Sequence, residues 1–198
     1  MLRSTIAFLT AFCFLAGAST ASADTGCPSQ PKAPAFARFL DPFQYVLAPG
    51  GDFEADDHGW SLDGAAVGAG NEPFFLAGAG DARSLALPAG AIATSPAICV
   101  TLQHPTIRFV ARSTGSPLGL LAVSAIVRDG EGLLSDLPIG VVTGLGSGWR
   151  PSLPMLLTPS LVDAIGRDHS EVRLRFTAIG LGAGFRIDDV FVDPYGRD

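Results

Sequence analysis

From Gly50 onward the chain is a series of short apolar runs separated by Gly, Pro, Asp and Ser. The clearest run is "EVRLRFTA", where Val172, Leu174 and Phe176 alternate with Arg173, Arg175 and Thr177. A period of two places one set on a buried face and the other in water, the pattern of a half-buried β-strand. "AICVTLQ", "TIRFVARS" and "GLLAVSAIVRDG" are further β-rich runs of strand length. In "TIRFVARS", Ile107, Phe109 and Ala111 share one face and leave Arg108 and Arg112 on the other. The one helix candidate is "TPSLVDAIGRD", with Ser160 as N-cap and Gly166 as its end. Turn signals among short strands, without alternating helices, predict an all-β antiparallel β-sandwich or barrel.

Ahead of the strands lies a Pro-rich arm, "CPSQPKAPAFARFLDPFQYVLAPGG", which has no helical period. Its prolines at 28, 31 and 34 favour extended backbone. The first residues, "MLRSTIAFLTAFCFLAGASTASA", have the layout of a secretory signal peptide. Arg3 is the positive end, Ile6 to Ala18 the apolar core, and Ala21-Ser22-Ala23 the cleavage site. That core is shorter than the ~20 residues needed to span a bilayer. The expected organisation is therefore signal peptide 1–23, extended arm 24–49 and sandwich domain 50–198, with the mature protein secreted or at the cell surface. No membrane insertion is expected after cleavage.

Cleavage removes Cys13 and leaves Cys27 and Cys99. Two cysteines in an exported chain are expected to form one disulfide, tying the arm to the strand around Cys99. The charge is −6 and becomes −7 once Arg3 is lost, which argues against nucleic acid and anionic membrane as partners.

Motifs of catalysis are missing. There is no G-x-S-x-G elbow, no zinc-type spacing among His58, His104 and His169, and no phosphate-cradling glycine loop that opens a helix. A non-enzyme is the expectation. Two acidic clusters remain: "GGDFEADDHGW", with Asp52, Glu54, Asp56 and Asp57, and "FRIDDVFVD", with Asp188, Asp189 and Asp193. Side chains alternate along a strand, so one of Asp188 and Asp189 must share the face of Ile187 and Phe191. A carboxylate on an apolar face is costly unless it is paired, hydrogen-bonded or metal-bound. Calcium prefers six to eight oxygen ligands and would serve if the first and last strands were neighbours. The plainer alternative is solvated acids, with one Asp accepting backbone or Arg186 hydrogen bonds.

"GGDFE", then "GW", "GDARSLALP" and finally "FRIDDVFVDPY" resemble the framework of jelly-roll carbohydrate-binding modules, the galactose-binding-like sandwiches appended to bacterial glycosidases. The resemblance spans roughly Gly50 to Tyr195, on short and degenerate motifs. It implies a jelly-roll sandwich with Phe53 and Trp60 in the core. It also implies a structural calcium near Glu54, Asp188, Asp189 and Asp52, away from the sugar face. Such modules stack sugars on exposed Trp or Tyr, and this chain has only Trp60, Trp149, Tyr45 and Tyr195. Trp149, in "GSGWRPS", is then the candidate platform, or else a lid over one end of the core.

A second candidate surface comes from the strands. If "TIRFVARS" and "EVRLRFTA" share a sheet, Arg108, Arg112, Arg173 and Arg175 line one face. Arginine forks bind carboxylates and sulfates, so this face would take an acidic saccharide. The plainer reading is cross-strand pairing with neighbouring acids. The resulting expectation is a non-catalytic binding protein for polysaccharide or cell-surface glycan, with Trp149, Arg108, Arg173 and Arg175 as ligand contacts. The runners-up are a structural or adhesive envelope protein and, third, a glycan-acting hydrolase.

Overall fold

The computed structural model describes residues 30–100, 106–128, 134–157 and 170–193. The signal segment, Cys27, the helix candidate and Tyr195 lie outside the described residues.

The strands in chain order are β1 (Val46–Leu47), β2 (Ser61–Asp63), β3 (Ala66–Ala69), β4 (Arg83–Pro88), β5 (Ile92–Thr94), β6 (Ile98–Val100) and β7 (Thr106–Ser113). They continue with β8 (Leu120–Arg128), β9 (Leu134–Thr143), β10 (Arg150–Pro151), β11 (Met155–Leu156), β12 (Ser170–Ile179) and β13 (Gly184–Val192). One sheet runs β10-β7-β13-β4-β3, with β1 on β13 and β11 on β7; the other runs β2-β5-β12-β8-β9, with β6 on β12. Every strand pairing within them is antiparallel. This is the β-sandwich that the alternating runs predict.

The core lies between the sheets. Val172, Leu174 and Phe176 of β12 face Ile107, Phe109 and Ala111 of β7, all buried. The rings of Phe109 and Phe176 meet edge to face, 5.1 Å apart. Phe53 and Trp60 close one end at 5.1 Å, and the Trp60 indole nitrogen donates to Pro49 O at 3.1 Å. Each fully buried large apolar side chain contributes about 1.5–3 kcal/mol, and this layer holds the sheets together.

The arm is part of the fold. Ala33 bridges to Tyr45, β1 pairs with the end of β13, and a short 3-10 turn (Ala37–Phe39) lies between. Phe36 and Tyr45 are buried on the outer face of the seven-stranded sheet against Val110 and Phe191. Phe36 meets Phe191 edge to face at 5.6 Å. Consequently β13 is buried on both faces, the inner by the opposite sheet and the outer by the arm. A strand covered twice reads as a continuous apolar run rather than an alternating one, which hides its register from the sequence.

Candidate functional site

Three regions carry the polar chemistry: the acids around β13, the arginines of β7, and the outer face of the six-stranded sheet.

Strict alternation in β13 would bury one aspartate of the pair, yet both Asp188 and Asp189 are fully buried. The reason is a bulge. Asp188 pairs with Val110 but Phe191 with Arg108, so β13 has one residue too many between them. Asp189 absorbs the extra length at φ 51, a left-handed conformation that Asp and Asn tolerate better than branched residues. Beyond it, Val190 and Val192 return to the core and Phe191 to the arm.

The two carboxyls hold the segment after β3. Asp188 Oδ2 accepts from the Glu72 amide at 3.1 Å, and Asp189 Oδ2 from the Ala77 amide at 3.3 Å. Glu72, also fully buried, accepts from the Leu76 amide at 2.8 Å and from the Phe74 amide. Three acids thus cap four backbone amides of one loop. Burial pushes Asp188 up to about 8. Burial also raises Asp189, whose carboxyl lies within hydrogen-bonding reach of Glu72. One oxygen, Asp189 Oδ1, is buried without a partner, as is Asp81 Oδ2 nearby. Among the described residues no ion pair reaches Asp188, Asp189 or Glu72.

The ligand set expected for calcium is not assembled as one cage. Glu54 Oε1 accepts from the Ala82 and Arg83 amides, at 2.8 and 2.7 Å, and Asp52 accepts from the Glu54 amide at 3.4 Å. Among the described residues no three His, Cys, Asp or Glu side chains are grouped to hold a metal. Asp189 Oδ1 is the carboxylate oxygen of the pair left without a partner, and Glu72 is the neighbouring acid that sequence reasoning missed. Its only trace in the sequence is one acid within an apolar loop, "NEPFFLA".

The arginine face does not exist as expected. β7 lies in the seven-stranded sheet and β12 in the six-stranded one, so Arg108 and Arg112 are separated from Arg173 and Arg175 by the core. Arg108, expected as a ligand contact, is 7% exposed and faces the arm. It ion-pairs with Asp41 of the arm, donates to Ser152 O at 2.9 Å and lies 4.4 Å above the Phe36 ring. Trp149 is half-buried beside the arm cluster, and the Arg112 guanidinium lies over its ring at 5.7 Å. One face of the candidate platform is therefore taken. Cys99 sits in β6, opposite Glu171 of β12; its expected disulfide partner Cys27 lies outside the described residues.

Arg173 and Arg175 do share a surface, on the outer face of β12. A groove of about 470 Å³ runs there, lined by Ser61, Thr94, Asp136, Glu171, Arg173 and Arg175, together with Ala97 and Ile126. Period two explains the set, because the alternate residues of β12 form the core. Arg175 is ion-paired with Asp136 of β9, reaching across the intervening β8. Arg173 and Glu171 are exposed.

No protein-family model and no curated protein matches the sequence. Solved structures do. A CBM22-1 xylan-binding domain from Paenibacillus barcinonensis Xyn10C aligns with a TM-score of 0.50 and 14% identity, over 77% of this chain and 95% of its own. The C-terminal family 22 carbohydrate-binding module of Clostridium thermocellum Xyn10B gives 0.49 and 17%, over 73% and 92%. A family 11 module of the cellulosomal cellulase Lic26A-Cel5E from the same organism gives 0.47 and 12%, over 76% and 94%. At these identities the likeness is one of fold. The chain has the jelly-roll β-sandwich of carbohydrate-binding modules.

Proposed function

We propose that this chain is a secreted, non-catalytic carbohydrate-binding protein that takes polysaccharide on the open face of its six-stranded sheet. The observation that carries this reading is the groove over β12, β5 and β9. It offers hydroxyls, charged forks and carboxylates along an extended sheet surface, while the arm covers Val110 and Phe191 on the outer face of the other sheet. The fold shared with carbohydrate-binding modules supports it. Of the two carboxylates in the groove, Asp136 is tied to Arg175, which favours holding a ligand over acid–base chemistry.

A structural calcium belongs to the same proposal. Asp189 Oδ1 with Glu72 would anchor it, and it would supply the positive charge that the buried acids lack. Its chemistry there is charge neutralisation, not catalysis.

Affinity electrophoresis through gels containing neutral and acidic polysaccharides tests the binding face. Retardation by one polymer, lost in an Arg173→Gln, Glu171→Gln variant of unchanged melting temperature, is the expected result. Free migration through every gel would overturn the reading.

One observation favours the adhesive alternative. Leu118, Leu145 and Leu181 are 86%, 60% and 99% exposed, on three loops that meet at one end of the sandwich. Those loops are joined by Ser116 N to Gly182 O at 2.6 Å and Gly144 N to Gly119 O at 2.7 Å. Replacing the three leucines with Ser should leave polysaccharide retention intact; loss of self-association or partner capture instead would favour the protein-contact role.

A further inference from the structure

Most arginine side chains placed on the described strands and the arm have an acceptor. Arg38 donates to Phe74 O, Arg83 to Asp56, Arg108 to Asp41 and Ser152, Arg150 to Thr143 O, Arg175 to Asp136 and Arg186 to Gly68 O. Arg112 is half-buried, and among the described residues its guanidinium donates to nothing, with Nε buried and unpartnered. It also stands directly opposite Arg186 in the register of β7 and β13. Like charges opposite each other on a sheet repel, and here both are partly shielded from water. The pair would be relieved by an anion.

The surroundings say what kind. Arg112 lines a cavity of about 430 Å³ beneath the 113–117 and 144–147 loops, a size within the ~300–1,000 Å³ range of small-ligand sites. The rest of the lining is Ser113, Thr114, Ser147, glycines and the Pro117 ring. Ser113 Oγ is buried without a partner, like Arg112 Nε. Hydroxyls, close-approaching glycine backbone and an apolar ring suit a sugar's hydroxyls and its C–H face. The Trp149 ring centre lies 5.7 Å from the guanidinium carbon, a cation–π contact that restrains the side chain whose N–H groups would fork a carboxylate.

We propose that Arg112, lying over Trp149, anchors a second site that takes a carboxylate-bearing sugar unit in this cavity. The carboxylate is inferred from the unpaired arginine; the choice of a sugar as its carrier rests on the carbohydrate-binding reading. The site lies in the other sheet from the β12 groove, so the two can be disabled separately.

The test follows the Trp149 indole and Arg112 Nε–H signals by NMR while glucuronate, glucose and acetate are titrated into the mature protein. Glucuronate should shift both signals saturably, with glucose and acetate each at least about tenfold weaker. Arg112→Gln should weaken glucuronate by at least about tenfold. Ser147→Phe, on an exposed part of the cavity wall, should do the same without altering the melt. Acetate equal to glucuronate would reduce the site to a bare anion contact and overturn the proposal. So would glucose equal to glucuronate, glucuronate binding unchanged in Ser147→Phe, or still signals throughout. Retention of the Arg173→Gln, Glu171→Gln variant by acidic but not neutral gels would show that the groove reading and this one stand or fall apart.

Discussion

Asp188 accepts a hydrogen bond from the Glu72 amide at 3.1 Å, across 116 positions of chain. The last strand thereby holds a loop within the first third of the domain, and it does so with a group that burial pushes up to about 8. Asp189 is raised in the same direction by burial and by Glu72. In the unfolded chain both ionise near 3.9. Between those values the folded state binds more protons than the unfolded state, so stability falls as pH rises. In EDTA, urea midpoints should decline steadily from about pH 4 to about pH 8–9. Calcium, replacing the protons on Asp188 and Asp189 as the neutralising charge, should flatten that decline and raise the midpoint most at the alkaline end. Curves that coincide with and without calcium would remove the cation; a flat curve in EDTA would mean the acids are not protonated when folded.

Asp189→Asn separates charge from geometry. Asn tolerates the left-handed φ of 51 at this position and keeps an oxygen for the Ala77 amide. In EDTA at pH 8 it should be at least as stable as the native chain, having no buried charge to carry. It should also lose most of any calcium stabilisation. Asp189→Ala should cost about 1–3 kcal/mol under the same conditions, because it adds strain and strands the amide. Equal loss for Asn and Ala, read from urea melts, would place the role in the acid group itself rather than in the shape of the side chain.

The sandwich was legible wherever a strand is covered on one side. In β12 the alternation of Val172, Leu174 and Phe176 with Arg173 and Arg175 maps directly onto core and surface. In β7 it identified the core face of Ile107, Phe109 and Ala111 correctly, but the opposite face was misread as open. What covers Arg108 is the arm, whose Phe36 and Tyr45 are too sparse to form a period. Nor does a period-two pattern say which sheet a strand joins, and that choice separated Arg108 from Arg175. The bulge at Asp189 was invisible for a related reason: β13 is apolar on both faces, so a one-residue insertion leaves no break in its pattern. Glu72 left no signal beyond a lone acid in an apolar loop, because its partners are backbone amides within its own loop and a strand far along the chain.

Arg108 and Asp41 make the buried ion pair that fastens the arm, with side chains 8% and 13% exposed. Tyr45 donates to the same Asp41 at 2.7 Å, and its own ionisation is raised by burial and then by that carboxylate. Removing one partner leaves the other buried and unpaired, which costs about 3–5 kcal/mol. Asp41→Ala and Arg108→Ala should each approach that loss, and the double variant should lose markedly less than their sum. Hydrogen exchange at the Ala33 and Tyr45 amides, which pair across the arm at 2.9 and 2.8 Å, should quicken before exchange in β12 does. Strict additivity of the two losses would mean the pair is not coupled.

The loops that frame the Arg112 cavity are set by how closely backbone approaches backbone. Gly115 lies against the turn before β13, where Ser116 N donates to Gly182 O at 2.6 Å and Thr114 N to Gly184 O at 2.8 Å. A methyl group at 115 would fall 2.5 Å from Gly184 N and within clashing distance of Gly182 O, and main chain cannot swing aside as a side-chain tip can. Gly80 provides the contrast, since a methyl there meets nothing within 4 Å and its φ is not left-handed. Gly115→Ala should therefore destabilise by about 1–3 kcal/mol, the range for forcing extra volume into a packed site. Gly80→Ala should be neutral or stabilise by about 0.4–1 kcal/mol, through the unfolded chain's lost freedom. Urea melts of the two variants side by side measure the difference directly. Because Gly115 also lines the cavity, its variant should weaken glucuronate binding even at temperatures where it is fully folded, and Gly80→Ala should not. Equal stabilities for the two would mean that the 113–117 loop can retreat from the 180–184 turn, and that the cavity wall is softer than its hydrogen bonds imply.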